Sequence, residues 1–164
     1  MKYVLIGKIV NTHGLKGEVR ILSDFKYKNK VFIPDTKIYI GKDKISEVIN
    51  TYRHHKIFDM ITLKGYNDIN EVLKYKGDHV FVNKEDIKLN TNEYLDEDIV
   101  GLNVYTDNNC LGIVKKIENH NGNEILVVVN NEKRYLIPYN FDIILSIDLQ
   151  KKQMLVKNIV GLFD

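Results

Sequence analysis

Residues 45–63 read ISEVINTYRHHKIFDMITL. Two runs, Ile45 to Tyr52 and Ile57 to Leu63, are rich in β-branched and aromatic residues and flank the basic segment Arg53-His54-His55-Lys56. Such runs fit a pleated, half-buried surface, and the short polar interruption predicts a hairpin with a basic tip. On the N-terminal side, Tyr3 to Val10, Glu18 to Leu22 and Lys37 to Ile40 read as three more strands, the first two separated by Asn11-Thr12-His13-Gly14-Leu15-Lys16-Gly17. On the C-terminal side one helix is expected. Asp68 caps it, Glu71 completes a capping box, Ile69, Val72 and Leu73 share a face, and Gly77 closes it. His79 to Val82 returns as a strand.

Asn83 to Asp98 carries little apolar content beyond Ile87, Leu89, Tyr94 and Leu95, and it reads as a linker. Beyond it lie Ile99 to Tyr105, Leu111 to Ile117, Glu124 to Val129, Arg134 to Ile137, Ile143 to Ile147 and Met154 to Val156, with turn-like segments between them such as Asp107-Asn108-Asn109 and His120-Asn121-Gly122-Asn123. Short strands about ten residues apart predict a small barrel or sandwich. The expected class is mainly β: two small β-barrels joined by a short linker, with one short helix in the first. The boundaries are residues 1–84, 85–98 and 99–164.

Composition agrees. The 164 residues include no alanine, against 16 valines and 21 isoleucines, which argues against long helical bundles and Ala-rich Rossmann layers. A single cysteine, Cys110, makes no internal disulfide and no Cys-rich zinc site, so a reducing compartment is expected. The first apolar run breaks at Lys8, too early for a secretory segment, and no stretch approaches the roughly 18 apolar residues of a membrane span. The expectation is a soluble cytoplasmic protein with no membrane contact. Net charge is +2 but unevenly spread. Residues 1–90 hold 17 Lys and Arg against 11 Asp and Glu, whereas residues 91–164 hold 7 against 11. A +6 module and a −4 module suit different partners, the basic one a polyanion.

The motifs that suggest catalysis fail on spacing. Gly14-Leu15-Lys16-Gly17 lacks the phosphate-loop pattern and leads into a strand, so a tight turn requiring positive φ is the better reading. His13, His54, His55, His79 and His120 lack metal-ligand spacing, and adjacent His54 and His55 point to opposite faces of a strand. Glu93, Asp96, Glu97 and Asp98 form a solvated or partner-facing acidic run. Cys110 lies in an expected turn with no activating cation nearby in sequence. No catalytic residue, metal or cofactor is expected. The run Lys26-Tyr27-Lys28-Asn29-Lys30, with an aromatic ring between cations, is a candidate RNA contact.

Gly7-Lys8-Ile9-Val10-Asn11-Thr12-His13-Gly14-Leu15-Lys16-Gly17-Glu18-Val19-Arg20 resembles the N-terminal signature of the bacterial ribosome maturation factor RimM family. The likeness continues through Leu63-Lys64-Gly65, Lys76-Gly77, Glu93-Tyr94, Asp98 to Leu102, Leu111-Gly112, Gly122 to Val128, Leu136-Ile137-Pro138 and Gly161-Leu162, covering nearly the whole chain. The resemblance implies an N-terminal barrel similar to those of translation factors and a C-terminal PRC barrel. It also implies a non-catalytic, monomeric assembly factor that binds small-subunit ribosomal protein nineteen and assists maturation of 16S rRNA in the 30S head. The family commonly places two adjacent tyrosines and a large aromatic at the start of the PRC barrel. Here the positions read Tyr94, Leu95 and Asp96, so Tyr94 and Leu95 are the ribosomal-protein-binding candidates. Joined to the basic character of the first module, the resemblance makes Lys8, His13, Lys16, Arg20, Arg53 and Lys56 the candidates for rRNA phosphates. A general RNA- or protein-binding double barrel and a flavin-dependent reductase are the competing readings.

Overall fold

The computed structural model describes residues 1–107 and 109–158. The chain divides into two units, Met1–Leu89 and Asn90–Asp164. In the first, β1 (Tyr3–His13), β2 (Glu18–Leu22), β3 (Lys37–Ile40), β4 (Ile45–His55), β5 (Phe58–Leu63) and β6 (His79–Asn83) form a closed barrel in the order β1-β2-β5-β4-β3-β6. Every pair is antiparallel, and β6 pairs back onto β1. Closure satisfies every edge, and alternation fills the interior. Val19, Ile21, Ile38 and Ile61 are fully buried, which is where the β-branched excess goes. The long strand β1 turns a corner at two register shifts, Leu5/Gly7 and Ile9/Asn11. Gly7 is required there, because a Cβ would lie 2.7 Å from Ile21 Cγ2 and 2.9 Å from the Leu22 carbonyl.

The predicted hairpin exists, but its tip is smaller than expected. Arg53, His54 and His55 are in the ladder, opposite Met60, Asp59 and Phe58, and the turn is Lys56-Ile57 with Lys56 at φ 55°. Extending the ladder pairs the backbone groups that a four-residue tip would leave to solvent. It also sets the outward direction of Arg53.

A one-turn helix, α1 (Lys28–Val31), lies within the basic run read as an RNA contact. Four residues are too few to show a helical period. The turn buries Val31 and Phe32, and Phe32 stacks on Tyr52 with centroids 6.1 Å apart. It also brings Lys28 Nζ within 2.8 Å of Asp59 Oδ2, while Tyr52 donates to Oδ1 at 2.6 Å. Asp59 is fully buried, and its Oδ2 is met by charge rather than by a well-angled hydrogen bond. Burial alone disfavours the carboxylate, but Lys28, Tyr52 and His54 outweigh it and hold the Asp59 pKa below the usual value. Tyr52 is pushed up to about 12, by burial first and then by its bond to Asp59. Tyr27 is itself 9% exposed, so its ring packs into the unit, while Lys26 and Asn29 of the run stay exposed.

The expected helix is present as α2 (Ile69–Val72), capped by Asp68 Oδ1 accepting from Asn70 N–H at 2.8 Å. It tightens into a 3-10 turn, Leu73–Tyr75, which places the buried Tyr75 hydroxyl on Glu47 of β4, and Gly77 ends it at φ 91°.

In the second unit α3 (Asp96–Ile99) precedes β7 (Asn103–Thr106), β8 (Asn109–His120), β9 (Asn123–Val129), β10 (Arg134–Pro138), β11 (Ile144–Asp148) and β12 (Gln153–Val156). The sheet order is β10-β9-β8-β7-β12-β11; β12 and β7 run parallel and the other pairs antiparallel. Its core draws on all six strands, through Val104, Val114, Val128, Ile137, Ile144 and Met154. Asn121 and Gly122, at φ 54° and 87°, make the two-residue turn between β8 and β9. Gly112 has φ 148°, and a Cβ there would lie 2.3 Å from the Val129 carbonyl.

Two expectations change here. Ile99 ends α3 instead of opening a strand, since Asp96, Glu97 and Asp98 favour a helix N-terminus and Gly101 turns the chain at φ 99°. Cys110 pairs with Tyr105 on β8 rather than lying in a turn. Within the segment read as a linker, Lys84–Asp86 forms a 3-10 turn and Leu95 is 4% exposed. Gly161 and Leu162 lie outside the described residues.

Candidate functional site

Four barrel strands, β1, β2, β5 and β4, bring one polar cluster together on their outer face. Register lines Arg20 of β2 up with Asn11 on one side and with Met60 on the other, and Met60 in turn with Arg53. Arg20 NH2 lies 2.7 Å from His13 Nδ1, and its guanidinium sits 5.4 Å from the centre of the Phe58 ring. Arginine only donates, so His13 Nδ1 accepts and the ring carries its proton on Nε2. Arg53 makes a two-pronged contact with Glu18, Nε at 2.8 Å from Oε2 and NH2 at 2.7 Å from Oε1. Planar forks of this kind fix the guanidinium's direction as well as its charge.

Electrostatics follow the geometry. The hydrogen bond from Arg53, helped by nearby His13 and His55, holds the Glu18 carboxyl below its usual range, and Arg53 is raised in return. His55 lies across from His13 with ring centroids 6.4 Å apart. Burial lowers its pKa first, and the surrounding Arg53, Lys56, His13 and Arg20 lower it further. The Glu18 carboxylate thus sits among groups that carry or can take up positive charge. Arg20 Nε is buried with no hydrogen-bond partner.

Of the six residues expected to meet phosphate, His13, Arg20 and Arg53 share this cluster, and Lys56 occupies the turn beside His55. Lys16 sits on the Gly14–Gly17 loop, with both glycines at positive φ as that tight turn requires, and Leu15 and Asp68 tie the loop to the start of α2. Lys8 is set apart: beyond the register shift it pairs with Leu22 on one side and with His79 on the other. The sequence marks His55 within the basic hairpin tip, but it marks neither Glu18 nor Phe58 as a member of the cluster. On the strand His54 turns toward Asp59, at 3.5 Å, and the adjacent His55 takes the opposite face, toward His13. For Phe58 and Glu18 the pairing register was needed.

In the second unit, Tyr94 is partly exposed and stacks on Phe141 with centroids 6.3 Å apart. Leu95, the other half of the expected contact pair, is buried, so Tyr94 alone of the two presents surface. Among the described residues no helix is long and apolar enough to cross a membrane.

A family model described as the RimM N-terminal domain matches residues 4–87, and one described as the RimM PRC barrel domain matches residues 96–162. The chain belongs to the RimM family. It is 39% identical to the ribosome maturation factor RimM of Staphylococcus haemolyticus, covering 98% of this chain and 99% of that protein. The RimM of Bacillus mycoides is 37% identical, with 98% of each chain covered. The RimM of Exiguobacterium is 35% identical, covering 100% of this chain and 98% of that protein. The RimM N-terminal match takes in the closed barrel from Val4 onward and the whole His13–Arg20–Arg53 cluster, and the PRC match starts at Asp96, two residues after Tyr94.

Proposed function

We propose that this RimM-family chain is a non-catalytic ribosome maturation factor, working as a cytoplasmic monomer on the immature 30S head. Its basic first unit holds 16S rRNA backbone through Arg20, Arg53, Lys56 and His13, with Lys16 and Lys8 at the margins. Its acidic second unit holds small-subunit ribosomal protein nineteen, a basic partner, near Tyr94. The observation that carries the RNA half is the outward cluster in which Arg20 and Arg53 are aimed by His13 and Glu18. Guanidiniums held in a fixed direction on rigid strands suit phosphate oxygens, and their fixation reduces the entropy lost on binding. The partner assignment in the second unit rests on the family resemblance together with the opposite charge balance of the two halves.

Two weak sites on one chain reinforce each other through effective concentration, and release follows once either surface is remodelled, with no energy source needed. Sedimentation of cell extract at graded salt tests this reading. The expected result is travel with free small subunits and not with polysomes, weakening as salt rises and weakened further by R20A combined with R53A. Co-migration with polysomes, or a salt-independent association, contradicts it.

A further inference from the structure

The far side of the barrel, formed by β1, β6 and β3, carries a different kind of surface. Leu5, Phe81 and Tyr39 lie in one row across these strands, and Tyr3 packs edge-on against both rings at 5.1 Å (Tyr39) and 6.3 Å (Phe81). Tyr3 and Leu5 stay 37% and 52% exposed and Phe81 is half-buried, whereas Tyr39 is buried beneath Tyr3 and supports it. Lysines sit over these rings: Lys44 Nζ is 4.3 Å from the centre of Phe81 and 5.5 Å from Tyr3, and Lys37 Nζ is 6.0 Å from Tyr39. Beside the rings is a cleft of about 230 Å³ lined by Gly41, Lys42, Lys44, Gly77, Asp78, His79 and Phe81. The turn between β3 and β4 is pinned to β6 by the Gly41 N–H to His79 carbonyl bond at 2.9 Å, so the cleft wall is rigid backbone.

We propose that this face binds unpaired RNA, one base stacking on Phe81 and Tyr3 and its edge entering the cleft. The inference rests on the reading of the first unit as an RNA-binding module. Exposed rings on a sheet, interleaved with lysines, are the recurring arrangement by which β modules hold single strands. The cleft is smaller than the roughly 300–1,000 Å³ of whole-ligand sites, which fits part of a nucleotide. In the free protein Lys44 covers the ring face by a cation–π contact. An incoming base takes that face and the ammonium moves to the flanking phosphate, so a cation–π contact gives way to a base stack and an ion pair. Asp78 lines the cleft, where it repels phosphate and accepts from an exocyclic amino group, so cytosine is preferred over uracil. Lys8, opposite His79, extends the lysine border here.

The test is fluorescence polarisation of labelled ten-nucleotide oligo(rC), oligo(rU) and a blunt RNA duplex of equal length, titrated with the full chain. Expected are tighter binding of oligo(rC) than of either other probe, and affinity reduced by about tenfold or more in F81L and in Y3L, the range for removal of one base stack. K44Q lowers the salt slope by about 0.7, the value for one single-strand phosphate, and D78N removes the preference for cytosine. K42Q, on an exposed turn, weakens oligo(rC) binding with no risk to folding, and thermal melting checks that F81L and Y3L remain folded. Wild-type binding by F81L, Y3L and K42Q overturns the inference and leaves the Arg20 cluster standing, and so does loss of association with immature subunits alone in those variants, since that marks a protein contact. Failure of the wild-type chain to bind any of the three RNAs overturns the underlying RNA reading as well.

Discussion

Arg20 and Arg53 lie on one outer face, each held by a different partner, and that difference predicts different responses. Arg20 is steered by a neutral imidazole nitrogen and an aromatic ring, so R20A removes a positive charge without freeing a carboxylate. The salt slope of rRNA binding should fall by about one for each phosphate that Arg20 neutralises. Arg53 neutralises Glu18, so R53A also leaves a carboxylate uncompensated beside the phosphate path. R53A should therefore weaken binding more than R20A, and E18Q in the R53A background should restore part of the affinity; titrations of naked head-domain rRNA measure both. His55 adds a pH dependence. Its pKa in the free protein lies below the ordinary 6.5, and a bound phosphate stabilises the imidazolium, so binding takes up protons. Affinity should rise as pH falls from about 7.5 to about 5.5, and H55Q should flatten that rise. An unchanged profile in H55Q would remove His55 from the interface.

At the scale of elements, the strands and the one hairpin were legible in the sequence because their β-branched runs and turn residues are local signals. Glu18 to Leu22 and Lys37 to Ile40 are strands with those same bounds. What was not legible is what pairing and burial decide. The α1 turn is too short for a period, yet it places Lys28 on Asp59, a fully buried carboxylate. That pair makes a stability prediction. The folded-state pKa of Asp59 is depressed, so its contribution is present above the ordinary value of 3.8 and is lost as pH falls through the lower folded value. Urea unfolding of D59N should accordingly show a flatter pH profile below about pH 4 than the native chain. K28M should destabilise by about 2 kcal/mol at neutral pH, less than a fully buried pair because Lys28 is about a third exposed. Glycine placement was legible as turns at Gly14 and Gly17, but not at Gly7, where the reason is the approach of Ile21 across the barrel corner. G7A should cost about 1–3 kcal/mol by overpacking, read as a lowered melting temperature. Likewise the cluster's membership was half readable: His13, Arg20 and Arg53 stand out as charges, whereas Phe58 and Glu18 join only through register.

For the whole molecule, the division at Leu89 and Asn90 leaves the charge split unchanged, because Asn90 is uncharged. The small total of +2 is the sum of a basic and an acidic unit, and on our reading each sign meets its complement, rRNA on one side and a basic ribosomal protein on the other. A factor built this way should bind immature small subunits more tightly than mature ones, since maturation alters at least one of the two surfaces. On our reading the two units divide the work. The most direct measurement of that division is a pair of pull-downs with the full-length variants R20A and Y94A, each against purified 16S head rRNA and against purified head proteins. We predict that R20A loses rRNA and keeps ribosomal protein nineteen, while Y94A loses the protein and keeps the rRNA. Identical losses in the two variants would contradict the division and mark one composite surface.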